Sequence, residues 1–188
     1  MKIVFATGNP HKLQEINEIS KGSGIEFVLP AEGFAPVENG NSFEENSLIK
    51  AKEAYRVSKM MSLADDSGLC IDALNGAPGL YSARYAGTQQ EKISKILKEL
   101  EIHENRKAKF VCVMTLLDEN GEVLHVSKGE CPGEMAKVQS GKNGFGYDPV
   151  FIVDGTNLTM ADMSEEEKNK ISHRAKALSD MLSFIESL

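Results

Sequence analysis

Residues 64–87 read ADDSGLCIDALNGAPGLYSARYAG, and an apolar run ends there in two adjacent aspartates, Asp65 and Asp66. The stretch predicts a strand that gives way to a glycine-containing turn directly after this pair. Neighbouring carboxylates repel each other, and each must stay hydrated or find a cation. A solvated acidic turn is the simpler interpretation of such a pair. Arg84, whose planar donors suit phosphate, follows closely and favours a site where Mg²⁺ joins carboxylates to phosphate.

The amino terminus predicts an anion-binding element. Residues 2–6 (KIVFA) predict a short buried strand, and TGNPHK follows at residues 7–12. Gly8 permits a sharp turn, and Pro10 suits the first turn of a helix. The unpaired N–H groups of such a helix start, with the positive charge of Lys12, would attract an anion. The spacing is not that of a Walker A loop.

The remaining sequence predicts helices and strands in alternation. Asp118 to Gly121 has the composition of a hairpin turn, whereas other connections are of the βαβ kind, so we expect an α/β fold with a mixed sheet and flanking helices. Without linkers or repeats, residues 1–188 form one predicted domain. We expect strands at 26–29, 61–64, 69–74, 109–117, 122–130, 135–138 and 150–153, and helices at 12–19, 42–60, 89–101 and 164–185.

The predicted helix from Ser42 carries polar residues with two interpretations. Asn46 and Lys50 are four positions apart and share a helix face. That face is either an exposed polar stripe or a surface that brings Lys50 to a phosphate. Glu45 completes a capping box with Ser42, a role that competes with binding a metal.

Composition narrows the classes of protein and partner. The chain has 188 residues, is 41% apolar and carries a net charge of −7, which argues against a nucleic-acid-binding surface. Cys70, Cys112 and Cys131 are odd in number and match no metal-binding spacing, as expected of reduced thiols in a cytoplasmic protein. No signal peptide is predicted, and no stretch approaches the ~20 apolar residues of a membrane span.

Six segments, in the same order and over residues 3 to about 178, resemble the inosine/xanthosine triphosphate pyrophosphatase family. They are ATGNPHK (6–12), SFEENSLIKAKEA (42–54), ADDSGL (64–69), APGLYSARYAG (77–87), GFGYDPVF (144–151) and SHRAKAL (172–178). Two positions depart from the family pattern: Ser47 replaces an alanine and Asn143 replaces a glycine.

The resemblance implies a fold and an activity. The family has an elongated mixed β-sheet with flanking helices, in two lobes around a central nucleotide-binding cleft. Its members hydrolyse deaminated purine nucleoside triphosphates (ITP, dITP, XTP) to the monophosphate and pyrophosphate, with Mg²⁺ as cofactor. They are cytoplasmic homodimers whose substrate is a small molecule, with neither nucleic acid nor a membrane as partner.

The resemblance also assigns residues. Asp66 is the expected general base, and Glu38 and Asp66 are the expected metal ligands, with Asp65 and Glu45 as further candidates. The expected substrate-binding residues are Thr7, Gly8, Asn9, Pro10, His11, Lys12, Lys50, Ser67, Arg84, Phe145, Gly146, Tyr147, Asp148, Lys168, His173 and Arg174.

The carboxyl-terminal segments suggest how a purine base is recognised. An aromatic ring such as Phe145 can stack on a base for ~1–3 kcal/mol, although Phe145 and Tyr147 could instead fill the core. Lys168, His173 and Arg174 are expected on a single helix. His173 and Arg174 offer donors to a purine O6, a position where adenine carries an amino group that such donors would reject.

Two other functions are compatible with these patterns. One is a related pyrophosphatase that acts on modified pyrimidine or methylated nucleotides, although such enzymes have a Ser/Arg-rich loop where this chain has ATGNPHK. The other is a nucleotide-binding regulator without catalysis, against which the intact pair Asp65–Asp66, Lys12 and Arg84 argue.

Overall fold

A computed structural model describes residues 1–188, and the chain divides into two compact units. The first unit comprises residues 1–66, 112–129 and 174–188, and the second comprises residues 67–111 and 130–173. The chain therefore passes from one unit to the other directly after Asp66 and directly after His173. Each unit contains part of the residues expected in the site.

Six strands form a mixed sheet, which confirms the predicted fold class. In sheet order they are β2, β1, β3, β4, β5 and β6. β1 pairs in parallel with both β2 and β3, whereas β5 and β6 are antiparallel. The strands span Lys2–Phe5 (β1), Glu26–Val28 (β2), Ser62–Ile71 (β3), Lys107–Leu117 (β4), Val123–Met135 (β5) and Phe151–Val153 (β6).

Five α-helices accompany the sheet. They are α1 (Pro10–Ile19), α2 (Phe43–Ser58), α3 (Gln89–Glu99), α4 (Glu165–Ile171) and α5 (His173–Glu186). Short 3₁₀ segments lie at 72–74, 79–84, 148–150 and 160–162. None of the helices combines the length and the apolar character that crossing a membrane requires.

The first unit has two apolar clusters because residues alternate along β1. Ile3 and Phe5 belong to a cluster with residues of α1 and α5, whereas Val4 and Ala6 belong to a cluster with Ala51 and Ala54 of α2. Successive side chains of a strand point to opposite faces. Burial of each large apolar side chain stabilises the fold by about 1.5–3 kcal/mol.

The second unit has its own core. Leu69 and Ile71 of β3 pack with Ile93 and Ile96 of α3 and with Phe151 of β6, all of them buried. The apolar spacing seen on the sequence of α3 is therefore the buried face of that helix.

The structure corrects the prediction that a strand ends at the aspartate pair. β3 continues through Asp65 and Asp66 to Ile71, and it includes part of the separate strand expected at 69–74. The reason is burial: Leu69 and Ile71 are fully buried in the second unit, so extended backbone is stabilised beyond the two carboxylates.

The single carboxyl-terminal helix was also a wrong prediction. Ser172 adopts an extended conformation (φ −67°, ψ 156°) and separates α4 from α5. Its N–H still closes α4 by bonding to the carbonyl of Lys168 at 2.9 Å. Serine competes for backbone groups and favours helix ends over interiors. His173 and Arg174 consequently begin α5 and do not share a helix with Lys168.

Candidate active site

The loop at residues 7–12 has the conformation expected of an anion-binding element. Asn9 caps α1 by accepting a 3.0 Å hydrogen bond from the backbone N–H of His11, and Pro10 occupies the first turn. The N–H of Asn9 donates to the Thr7 hydroxyl at 3.0 Å. Local hydrogen bonds therefore hold the turn between β1 and α1, with Gly8 and His11 exposed.

Asp65 is a buried carboxylate between two cations. Lys12 Nζ lies 3.1 Å from both of its oxygens, and Arg174 Nη2 and Nε donate to Oδ2 at 3.2 and 3.3 Å. Burial alone would raise the pKa of Asp65, but the charges of Lys12, Arg174 and Lys50 outweigh it and hold that pKa well below its usual range. Asp65 is therefore a permanent anion of the first unit.

Arg174 also binds Glu15, a residue that the sequence analysis missed. Arg174 is only 2% exposed, and its Nη1 donates to Glu15 Oε2 at 2.8 Å. Burial would lower the guanidinium pKa, but Glu15 and Asp65 raise it. The spacing of Lys12 and Glu15, three positions apart on α1, was a signal that both side chains share one face.

Lys50 joins Glu38 to Asp66, the two expected metal ligands, which we call the acidic pair. Its ammonium group lies 2.9 Å from Glu38 Oε1 and 3.0 Å from Asp66 Oδ1. Lys50 and Asn46 are both buried, so the interpretation of α2 as an exposed polar stripe is wrong. Burial would lower the pKa of Lys50, but Asp65, Asp66 and Glu38 raise it.

Asp66 differs from its neighbour in the direction of its pKa shift and in hydrogen bonding. Its Oδ2 is buried and has no hydrogen-bond partner. Burial raises the pKa of the Asp66 carboxyl, and the negative charges of Asp65 and Glu38 add to that effect, whereas Lys50 opposes it. A buried carboxylate oxygen without a partner is costly, so this oxygen is suited to bind a cation or a proton.

The loop that carries Glu38 is tied to the start of α2. The N–H of Gly40 donates to Asn46 Oδ1 at 2.8 Å, and the N–H of Asn41 donates to Glu45 Oε2 at 2.7 Å. Glu45 thus holds the loop, which is consistent with the capping role expected for it. Asn46 is a second residue that sequence reasoning did not assign to the site.

The acidic pair has a donor set that fits Mg²⁺. No group of three or more His, Cys, Asp or Glu side chains is arranged to hold a metal ion. Glu38 and Asp66 nevertheless meet at one cation, Lys50, and Asp66 adds a buried oxygen without a partner. Mg²⁺ usually binds through one or two carboxylates together with substrate phosphates. The other two candidate ligands have different contacts: Asp65 pairs with Lys12 and Arg174, and Glu45 accepts the N–H of Asn41.

In the second unit, Asp148 organises the loop that contains Phe145. Lys168 Nζ lies 2.9 Å from Asp148 Oδ2, which also accepts the N–H of Phe145 at 3.1 Å. The same ammonium group lies 4.6 Å from the centroid of the Phe145 ring. Tyr147 is buried in the core and donates to the carbonyl of Ser82, so the core-filling interpretation is correct for Tyr147.

Three other expected residues of the second unit lie apart from this loop in sequence. His173 is 6% exposed and stacks on Phe110, with ring centroids 4.8 Å apart and ring planes 14° apart. Arg84 is exposed and lies over the ring of Tyr81, 5.7 Å from its centroid. Ser67, the first residue of the unit, is half-buried.

The expected residues thus fall into two sets. The first unit brings together Lys12, Glu38, Lys50, Asp65, Asp66 and Arg174 with the loop at 7–12. The second unit contains Ser67, Arg84, Phe145, Gly146, Tyr147, Asp148, Lys168 and His173. The first set is rich in groups that bind phosphate and metal, and the second in aromatic rings.

Known proteins resemble this chain over nearly its whole length. The dITP/XTP pyrophosphatase of Treponema denticola is 45% identical over 195 aligned residues, which cover 98% of each chain. That of Synechocystis is 41% identical and covers 96% of this chain and 93% of its own. The solved structure of a HAM1 protein from Coxiella burnetii is 41% identical and superposes with a TM-score of 0.91 over both complete chains.

The match to a sequence family is equally extensive. The solved structure of the Staphylococcus aureus Ham1 protein is 39% identical and has a TM-score of 0.89, with 100% of this chain and 99% of that chain covered. The profile of the Ham1 family matches residues 3–184, and the resemblance seen in the six segments is thereby confirmed. Because this match extends from β1 into α5, this chain belongs to the Ham1 family.

Proposed function

We propose that this protein hydrolyses deaminated purine nucleoside triphosphates, such as ITP, dITP and XTP, to the monophosphate and pyrophosphate. Relatives at 41–45% identity bear the name dITP/XTP pyrophosphatase. The observation that carries the proposal is Asp66, a buried carboxylate with a raised pKa and an oxygen without a partner. It lies beside Lys50, a lysine suited to phosphate, and next in sequence to a carboxylate that stays ionised.

The triphosphate is bound by positive groups on separate elements. The loop at 7–12 offers the amino-terminal end of α1, and Lys12 and Lys50 add positive charge in the first unit. Arg84 supplies an exposed guanidinium in the second unit, and Ser67 adds a hydroxyl. Phosphoryl transfer depends mainly on such positioning and charge.

Glu38 and Asp66 are the residues that would hold Mg²⁺. When bound, the ion supplies positive charge that stabilises the oxygens of the leaving pyrophosphate. Lys50 and Lys12 add to this stabilisation from the protein side. Asp65, paired with Lys12 and Arg174, keeps its negative charge and thereby contributes to the raised pKa of Asp66.

Asp66 acts as the general base. It accepts a proton from a water molecule whose oxygen attacks the α-phosphorus. The bond between that phosphorus and the α,β-bridging oxygen breaks, and pyrophosphate leaves with the bonding electrons. A general base contributes about 10²–10⁴-fold to the rate, and a carboxyl whose pKa lies above its usual range accepts the proton more strongly.

Base selectivity comes from residues of the carboxyl-terminal segments. Phe145 stacks on the purine, and Lys168, His173 and Arg174 provide donors around O6. Adenine presents an amino group at that position, so buried donors would lose their acceptors. Such a mismatch can reduce kcat/KM by ~10⁴-fold or more. We further propose that the enzyme is a homodimer and acts in the cytoplasm. Light scattering on the purified protein tests the oligomeric state.

The products of the reaction test the proposed chemistry. Purified protein with Mg²⁺ is given ITP, dITP, XTP, ATP, GTP, dUTP and methylated nucleotides, and pyrophosphate and orthophosphate are measured separately. We expect IMP and pyrophosphate from ITP and little turnover of ATP. IDP with orthophosphate would show that another bond is cleaved, and a preference for dUTP or methylated nucleotides would favour the related class of pyrophosphatase.

Asp66→Asn tests the assigned base. The amide keeps the shape but cannot accept the proton, so we expect kcat for ITP to fall at least ~10²-fold with nucleotide still bound. Asp154→Asn, at an exposed position of the second unit, is the matched control and should leave kcat within about twofold of wild type. Activity of Asp66→Asn near that of wild type would contradict the role.

A further inference from the structure

Lys50 occupies the position between the two carboxylates of the acidic pair. Its ammonium group is within 3.0 Å of an oxygen on each of them, and the residue is only 8% exposed. A divalent cation held by Glu38 and Asp66 would lie against the same two carboxylates, close to this ammonium group. Two positive charges beside the same two carboxylates repel each other, so the ammonium group of Lys50 opposes the binding of a divalent cation there.

The proposed function gives Lys50 another partner, a phosphate of the substrate. An ammonium group on a flexible four-carbon stem can exchange partners in a way that a rigid arginine fork cannot. When Lys50 turns to phosphate, Glu38 and Asp66 lose their counterion and become available to metal. Each of these charges is then paired both before and after the exchange, which matters most for the buried Lys50 and Asp66.

We propose that Lys50 is a positioning residue that competes with the divalent cation for the acidic pair, and that substrate phosphate relieves this competition. The inference rests on the proposed function for the identity of the phosphate ligand. Its consequence is that metal alone binds weakly, and that metal and triphosphate strengthen each other's binding. Such coupling is reciprocal by thermodynamic necessity.

The competition is tested by metal binding without nucleotide. Mn²⁺ is titrated into full-length protein, and free Mn²⁺ is measured from its electron paramagnetic resonance signal. Removal of the competing charge in Lys50→Gln should lower the Kd for Mn²⁺ at least about tenfold, since coupling between close charge pairs is of this size or greater. Lys52→Gln removes an exposed lysine of the same helix and should change the Kd less than about twofold.

Thermal unfolding with and without Mn²⁺ is the second measurement. Lys50→Gln leaves both carboxylates without their ammonium partner, so it should melt lower than wild type in the absence of metal and gain more from Mn²⁺. Lys50→Arg retains the charge and should bind Mn²⁺ no more tightly than wild type. An unchanged Kd in folded Lys50→Gln, or tighter binding by Lys50→Arg, would overturn the proposal.

These outcomes are independent of turnover. If ITP is hydrolysed to IMP and pyrophosphate but Lys50→Gln binds Mn²⁺ as wild type does, only the competition fails. If no nucleotide is hydrolysed but Lys50→Gln binds Mn²⁺ more tightly, the proposed function fails and the competition for the acidic pair stands.

Discussion

Asp65 and Asp66 are chemically identical neighbours whose surroundings give them different properties. Asp65 lies between Lys12 and Arg174, which hold its pKa below the usual range. Asp66 shares Lys50 with Glu38 and has a raised pKa. Because their environments differ, Asp65 is a permanent anion and Asp66 is suited to accept a proton. Because strand residues alternate between faces, adjacency on β3 itself places the two side chains in different surroundings.

Substitution of Arg174 tests directly whether this residue takes part in base recognition. Its contacts with Asp65 and Glu15 are buried, so Arg174→Ala should lower the free energy of unfolding by about 3–5 kcal/mol. If Arg174 also reads the purine O6, the ITP/ATP ratio of kcat/KM should fall, which is the outcome we expect. Urea unfolding and the two kinetic ratios, measured on one preparation, check both statements.

The alternatives for Arg174 give different results. A purely structural residue would lower stability and leave the ITP/ATP ratio unchanged. A phosphate ligand would lower kcat/KM equally for both nucleotides. Glu15→Gln is the matched comparison, because it removes the negative charge of one partner of Arg174 and leaves the other partner, Asp65, in contact.

At the scale of elements, a loop-to-helix contact places a proposed metal ligand. Glu38 lies in an irregular loop, and the loop is held to α2 by the bond from the Gly40 N–H to Asn46. A Cβ added at Gly40 would lie 2.7 Å from Asn46 Oδ1 and 2.7 Å from Glu45 Cβ. Only glycine permits this approach without movement of the loop.

Gly40→Ala and Asn46→Ala should therefore impair metal use through the same hydrogen bond. We expect each to raise the Mg²⁺ concentration for half-maximal ITP hydrolysis by about 10–100-fold, because the loop that carries Glu38 would lose its tie to α2 and disturbed groups around a metal site typically cost this much. The double variant should need little more Mg²⁺ for half-maximal hydrolysis than the single variant that needs more, because the two residues share one interaction. Additive effects, or normal Mg²⁺ dependence of Asn46→Ala, would contradict this role for the loop.

At the scale of the whole molecule, lowered carboxyl pKa values link stability to pH. Asp65 and Asp118 belong to the first unit, and Asp162 belongs to the second. The pKa of Asp162 is lowered chiefly by the Ser140 hydroxyl and then by the backbone N–H of Thr159. A carboxyl group with a lowered folded pKa stabilises the fold above its unfolded pKa, about 3.9, and loses that effect as pH falls.

Asp162→Asn should reveal this linkage, because the difference in stability between the variant and wild type should change with pH. At pH 6 it should unfold at lower urea concentration than wild type, and the difference should narrow at pH 3, where the unfolded carboxyl group takes up its proton. Asp154→Asn serves as the exposed control at both pH values. A difference that is constant or wider at pH 3 would show that the Asp162 charge does not stabilise the fold.

Local patterns in the sequence determined the types of element and the family. The alternation of Ile3, Val4, Phe5 and Ala6, the proline at the start of α1 and the hairpin turn at 118–121 all depend on neighbours within a few positions. The six segments carried the family resemblance for the same reason. The Ser172 break was missed although serine itself favours helix ends. The continuation of β3 was missed because burial of Leu69 and Ile71 against residues far apart in sequence overrides local preference.

Only the tertiary structure decided how the charged residues pair. Lys12 with Asp65, Lys50 with Asp66 and Arg174 with Glu15 are separated by 53, 16 and 159 positions. No local pattern specifies partners at such distances, since the pairs form only when α1, α2, β3 and α5 pack together in the first unit. The opposite pKa shifts of two adjacent aspartates follow from that packing, because burial and opposite charges act through space and not along the chain.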